Sequence, residues 1–556
     1  MGIPGLYRHL LKKYPKTHSN KLSLNVSNFY IDFNSIVYKA YSNISKDIVN
    51  KYNKDILIIR ETIRELNLLV DFVKPSNYLN ICVDGSAPYC KIIQQRYRRY
   101  KKKFDKKIQE DIFKKYGKNV NQCWDTSNIT PGTEFMSKLN KFLYRNKTFL
   151  ENKYKIKVDL NGSNIPGEGE HKFLKNIQKN NDKNIVVFSN DGDLLMLLNR
   201  FNNPNIYLVS DKHQTLDDIY KNDTYIYFSI EEFQKSLLLE YELTNYDSQK
   251  IFHDYVFLTM ISGNDFVKPI FYLKMKEKFT LEYIINVYKK CLKEKKVHLI
   301  EYDINIKKYT INFEFLQLFF HYLALDEKML VDKYFRKYFN IFRNNYQYRH
   351  NDNNLEEHQK KYLEFLHTPF ASKNHQLNKE YMATFNKLNS YNTNHNFWKN
   401  KYYSHFLDIN IMNRQKIQTE KNKLCFFYIK SLIFTFNYYI TEIPSWSWSY
   451  TNDISPLSSD IVYFLNNMNS NTVQSLYKFR KYKPFPTDIQ LSMVIPVSNP
   501  IFPKKFLDKA KNDKELIEYF DDKINLNLFL GEKYIYTEPK LKYPNIKLFL
   551  RKFQLQ

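Results

Sequence analysis

The chain has 556 residues and a formal charge of +27, from 85 Lys and Arg against 58 Asp and Glu. That length allows two to four domains around a large core, and the basic excess favours a polyanionic partner, because Lys and Arg displace counterions condensed on phosphates. Five scattered cysteines without a C-x-x-C or a nearby His argue against a zinc site or a disulfide framework, and no stretch reaches the roughly 18 to 20 apolar residues of a membrane span.

Three short β-type runs end in acids. Asn28 to Ile31 leads into Asp32, Tyr78 to Val83 into Asp84, and Asn184 to Ser189 into Asn190 and Asp191. Polar or helical segments separate them, the alternation expected of a parallel sheet flanked by helices, an α/β fold. In open parallel sheets ligands bind beyond the carboxyl ends of the strands. The spacing therefore predicts that these acids converge. A long charged helix is predicted from about residue 91 to 116. Residues 240 to 340 read as helical and amphipathic, with Asp265 in the turn Gly263-Asn264-Asp265-Phe266. From 343 to 395 the chain turns polar and rich in Asn and His, and reads as a variable connector or insertion between an N-terminal region, 1–342, and a second patterned region, 396–556.

Gly167-Glu168-Gly169-Glu170-His171 places two carboxylates on a glycine-flanked turn, where both can point the same way. Asp191-Gly192-Asp193 repeats the device after a strand. Each pair alone is weak evidence; their combination with Asp32, Asp84 and Asp265 carries the reading. Seven converging carboxylates repel one another unless divalent cations neutralise them. Oxygen ligands without His or Cys suit Mg²⁺ or Mn²⁺, and two such ions can activate water and stabilise a leaving oxygen. Phosphodiester hydrolysis is the chemistry that follows. Beside Asp84, Lys91, Gln95, Arg98 and Arg99 fall on one helical stripe. Arginine forks match phosphate oxygens, so the stripe is read as phosphate-binding rather than as a solvated face.

Met1-Gly2-Ile3-Pro4, Asp32-Phe33-Asn34, Asp84 to Pro88, Gln94 to Arg99, Ile129 to Met136, Pro166 to Lys172 and Gly263 to Phe266 together resemble the Xrn-type 5′→3′ exoribonucleases, in order and at comparable spacing. The resemblance resumes at Trp398 to Tyr403, Pro444 to Trp448 and Lys483 to Phe485. It implies a PIN or flap-endonuclease-like catalytic core, a second region, 396–556, that is mostly helical or mixed, packs against the sheet and completes the active-site pocket, and processive removal of mononucleotides from a 5′-monophosphate end of single-stranded RNA. By the same resemblance Asp32, Asp84, Glu168, Glu170, Asp191, Asp193 and Asp265 match the metal-site acids. Lys91, Gln95, Arg98 and Arg99 match a 5′-phosphate pocket that excludes capped and triphosphate ends. Trp446 or Trp448 matches a residue stacking on the terminal base.

Two features depart from the family pattern. Tyr38 occupies the place of a base-stacking His, and a tyrosine ring still offers a π face. Ser449 to Pro456 replaces an aromatic, His-containing run, which puts that segment's contacts in doubt. The chain also ends soon after the second conserved region, which suggests a compact form, and its small size and the Lys, Asn, Ile, Tyr and Phe richness of AT-rich codons suit a viral member. The expected setting is a soluble monomer in the cytoplasm (of a host cell, if viral), with nucleus or virion as alternatives and a decapping enzyme upstream. A flap-type DNA nuclease and a non-catalytic RNA-binding protein are the competing readings. The stripe, the second Trp-containing region and the intact set of acids argue against both.

Overall fold

The computed structural model describes residues 5–44, 53–120, 123–180, 182–192, 194–213, 223–275, 279–304, 307–344, 354–389, 394–521 and 525–553, with the short stretches 216–217, 219–221, 346 and 348–350 between them. Met1 to Pro4 and Asp193 lie outside the described residues.

Seven strands form one sheet: β1 (His18–Ser19), β2 (Asn28–Asp32), β3 (Tyr78–Cys82), β4 (Lys157–Asn161), β5 (Ile185–Phe188), β6 (Ile206–Asp211) and β7 (Tyr225–Ser229), in the order β1-β7-β6-β5-β2-β3-β4. The five strands from β6 to β4 are parallel; at the far edge β7 pairs antiparallel with β6, and β1 pairs antiparallel with β7. Helices cover both faces, so the central strands are buried on both sides. Phe29 and Ile31 of β2 enter one apolar cluster while Tyr30 enters the other.

Register decides where the acids emerge. Asn28 pairs with Tyr78 on one side and Ile185 on the other, so β2, β3 and β5 are level. Asp32 is the last residue of β2, Asp84 follows β3 by two residues, and Asp191 follows β5 by three. All three therefore leave the sheet at its carboxyl edge, as the sequence predicts.

The second region packs along the helix Tyr89–Lys114, whose Tyr89, Ile92, Ile93 and Tyr97 share a core cluster with residues 485–553. Its longest element, Arg414–Ile440, is buried almost throughout its second half. Arg96 fastens the two regions together. Only 1% exposed, it donates Nη1–H to the Met493 carbonyl at 2.6 Å and Nη2–H to that of Tyr519, while stacking on Tyr100. Within 343–395, read from sequence as a connector, two helices occur, Glu357–His367 and Asn378–Leu388. Their Phe365, Tyr381 and Phe385 join the largest core cluster. The Asn- and His-rich composition hides an apolar spacing carried mainly by aromatics. Between residues 240 and 340 lie the helices Ser248–Ile261, Thr280–Lys295 and Phe313–Leu325 and the start of Glu327–Arg343, with irregular backbone at Asp265 after the first and a hairpin at Ile300–Asp303 and Lys308–Ile311.

Candidate active site

At the carboxyl edge the acids are held by short local devices. Asn34, on the helix that follows β2, donates Nδ2–H to Asp84 Oδ2 at 2.8 Å, and the Gly169 amide donates to Asp84 Oδ1 at 2.7 Å. Ser189 donates its hydroxyl to Asp32 Oδ2 at 3.0 Å and accepts from the Asp191 amide at 3.0 Å. Glu168 is the N-cap residue of the helix Gly169–Lys179, with an extended backbone. Gly167 takes the left-handed conformation, φ 106°, which favours glycine. Gly169 is required for another reason. A Cβ there would lie 2.7 Å from the Cys82 carbonyl and 2.8 Å from Asp32 Oδ1, so only glycine lets the two glutamates press against the strand-end acids.

The resulting crowd is electrostatically unfavourable. Burial, reinforced by Asp84, pushes the Asp32 carboxyl up to about 8. Burial and Glu168 raise Asp84 and push Glu170 well above the usual carboxylate range. Such a set ionises fully only beside cations. Lys91 supplies one: its ammonium lies 2.8 Å from Glu168 Oε1 and 3.3 Å from Asp265 Oδ2. Burial opposes its charge, but those two carboxylates outweigh burial and hold its pKa high.

Two residues not singled out from sequence complete the site. The ligand atoms of His171, Glu168 and Glu170 lie within 4.8 Å of one another. His171 Nε2–H donates to the Tyr438 carbonyl at 2.9 Å, because a carbonyl can only accept. The opposite ring nitrogen, Nδ1, is buried without a hydrogen bond and faces Glu170 Oε1 at 3.8 Å. Burial lowers the ring's pKa, leaving a neutral imidazole with a free lone pair. Two carboxylates and that nitrogen fit a divalent cation. The expectation of a purely oxygen donor set is thereby widened to one nitrogen. Tyr438, from Arg414–Ile440, donates its hydroxyl to Glu168 Oε2. Burial raises its pKa well above 10, so it remains a donor.

The structure spreads the basic stripe over two neighbours. Lys91 and Arg98 both turn to Asp265, Arg98 Nη2 at 3.4 Å. Arg99 donates to Thr130 Oγ1 at 3.1 Å, tying the helix to the Ile129 to Met136 motif. The Gln95 side-chain oxygen is buried without a partner. Tyr38 stands 41% exposed on the helix Asn34–Asn43. Trp448 packs on Phe434 and Phe479. No ring contact of Trp446 occurs among the described residues, and its carbonyl accepts from the Tyr89 amide at 2.9 Å, at the head of the basic helix.

A parallel sheet with carboxylates gathered at its carboxyl edge is the layout of PIN-like nuclease domains. Two family models match the chain: the XRN 5′-3′ exonuclease N-terminus over residues 1–212 and the Xrn1 helical domain over residues 245–537. The second alone spans more than half of the sequence, and the chain belongs to the Xrn family. Nucleases of this family are metal-dependent. Among relatives, 5′-3′ exoribonuclease 1 of Homo sapiens is 25% identical over 574 residues, covering 95% of this chain and 32% of the relative. The 5′-3′ exoribonuclease 2 homolog of Drosophila melanogaster is 23% identical over 96% of this chain and 68% of its own length. The 5′-3′ exoribonuclease 1 of Saccharomyces cerevisiae is 24% identical over 57% of this chain and 23% of its own. The chain thus spans about a third or less of the two exoribonuclease 1 relatives.

Proposed function

We propose that this chain is a 5′→3′ exoribonuclease that degrades uncapped, 5′-monophosphate RNA processively to mononucleotides. The observation that carries the reading is the contact between Lys91, Arg98 and Asp265, which sets a phosphate-binding stripe directly against the acid cluster. Asp32, Asp84, Glu168, Glu170, Asp191, Asp193 and Asp265 would hold two Mg²⁺ or Mn²⁺ ions, with His171 beside them. Bound there, the ions would supply an activated water and stabilise the leaving oxygen.

The protein's own part is positioning. Lys91, Gln95, Arg98 and Arg99 grip the terminal phosphate, and a stripe anchored at Asp265 and Thr130 leaves no room for two further phosphates or a cap. A decapping reaction must then supply the substrate, in a cytoplasmic setting and to a monomer. Tyr38 and Trp446 offer ring faces for the terminal bases, whereas the ring of Trp448 is engaged by Phe434 and Phe479.

Initial rates on RNA bearing a 5′ monophosphate, triphosphate or hydroxyl, and on matching DNA, test this. The monophosphate RNA should be degraded fastest. Charge-assisted contacts contribute roughly 1.5–3 kcal/mol each, so Arg98→Ala/Arg99→Ala should lose about a hundredfold on that substrate and little on the hydroxyl. Equal slowing on every end would show that the stripe grips the general backbone. Preference for DNA junctions would replace the reading with a flap-type nuclease.

A further inference from the structure

Away from the acid cluster, the opposite side of the helix Gly169–Lys179 walls a second groove. That helix packs over β2 and β3, while β4 is the sheet's edge strand and its face lies open. The groove has a volume of about 490 Å³, within the usual range for small-molecule sites. Lys172, Lys175 and Lys179 line one wall, Tyr144 and Lys147 the other, and Asp159 is the one acid among the lining residues.

Its floor is unusual for a parallel sheet, whose strands are ordinarily apolar on both faces. Asn80, 2% exposed in the middle of β3, donates to the Tyr78 hydroxyl at 3.0 Å and accepts from Asn161 Nδ2 at 2.9 Å. Tyr78 donates in turn to Asp159 at 2.8 Å, and Asn176 donates to Tyr78 at 3.1 Å. Core volume has been given to a satisfied polar floor exactly where the groove opens, and such networks fix geometry only when complete.

The cations above this floor are weakly committed. Lys175 approaches Glu442 no closer than 3.8 Å, with both side chains at least 75% exposed, and Lys147 stands 3.7 Å from Glu151. Exposed pairs of this kind contribute little. Lys179 has no ion-pair partner among the described residues. Lys172 closes the upper end by donating to the Val83 and Gly162 carbonyls.

The geometry points to a nucleoside monophosphate site in this groove, separate from the 5′-end pocket. Lys175 and Lys179 take the phosphate, and the Tyr144 ring, 47% exposed at the rim, takes the base. A long strand is disfavoured because Lys172 blocks the upper end. The ligand could come from RNA turnover or from the nucleotide pool, and the binding chemistry is the same.

Calorimetric titration of the full chain in EDTA, with AMP, adenosine and inorganic phosphate, tests the assignment without turnover, so its outcome is independent of the nuclease reading. AMP should bind at least about tenfold more tightly than adenosine or phosphate. Lys175→Glu/Lys179→Glu, at exposed positions that leave the fold intact, should abolish that binding, and Arg98→Ala/Arg99→Ala should retain it. Tyr144→Ala should weaken AMP but not phosphate. Binding that survives the groove variant, disappears only with the arginine pair, or is absent at millimolar AMP would overturn the assignment. A saturable AMP site that RNA oligonucleotides fill equally well would instead make the groove a strand-binding surface, and also overturns it.

Discussion

Two parts of the molecule meet at Glu168, and they are built differently. The sheet edge places its acids on turns: Gly167 at positive φ, Gly169 pressed on Asp32, Ser189 bridging Asp32 and Asp191. The helix Arg414–Ile440 brings no acid, only a hydroxyl and a carbonyl of one buried residue, Tyr438, to Glu168 and His171. The first part carries the charges and the second fixes where they stand. Loss from the first should therefore remove chemistry outright, and loss from the second should loosen it.

The sharpest division comes from Asp84→Asn, which keeps shape but removes a charge at the centre of the cluster. Metal-borne charge stabilisation amounts to several kcal/mol, so kcat should fall on the order of a thousandfold. RNA affinity should change little in a filter-binding assay. A variant within tenfold of wild type would break the comparison at its first half.

Next in size is Arg96→Met, aimed at the junction of the two regions. Two buried carbonyls, of Met493 and Tyr519, lose their donor, at ~1–3 kcal/mol each. A lower urea midpoint is the expected result, with activity following stability. An unchanged midpoint would mean that the second region is held elsewhere.

Tyr438→Phe should act more gently. A hydrogen bond to a charged group contributes ~1.5–3 kcal/mol, so activity at limiting metal should drop roughly tenfold or somewhat more. Excess metal should recover part of it, and the metal-free melt should fall modestly as the buried Glu168 loses a donor. Equal losses at all metal concentrations would make Tyr438 a packing residue only.

The smallest effect is on pH. Asp32 has a folded pKa near 8, above the ordinary 3.8, so the folded state binds a proton that the unfolded chain has released. Without metal, this favours the folded state at pH 4 and below, and the advantage is lost as pH rises through 8. A divalent ion takes the proton's place, so Mg²⁺ should raise the melting temperature more at pH 9 than at pH 6. The reverse order would place the ion away from Asp32.

The sheet edge was legible from sequence because its constraints are local. A β-run ending in Asp32, Asp84 or Asp191, and two glutamates between glycines, are patterns of adjacent residues. Tyr438 was not legible: it lies in the apolar tract Ser431 to Ile440, and a tyrosine in a buried helix reads as packing until its hydroxyl is seen on Glu168. His171 stood inside a recognised motif, but its free nitrogen shows only once the Tyr438 carbonyl is seen to occupy the other. The packing of Trp448 on Phe434 and Phe479 likewise shows only in the structure, since no spacing supplies it. Helices in 343–395 were obscured by composition, since Phe365 and Phe385 sit among Asn, His and Lys.

Lys91 stands between Glu168 and Asp265 as a resident counterion. A divalent ion taken up by that pair would therefore meet an ammonium already in place rather than a vacant seat. Such a tethered substitute would balance part of the cluster's repulsion while metal is absent.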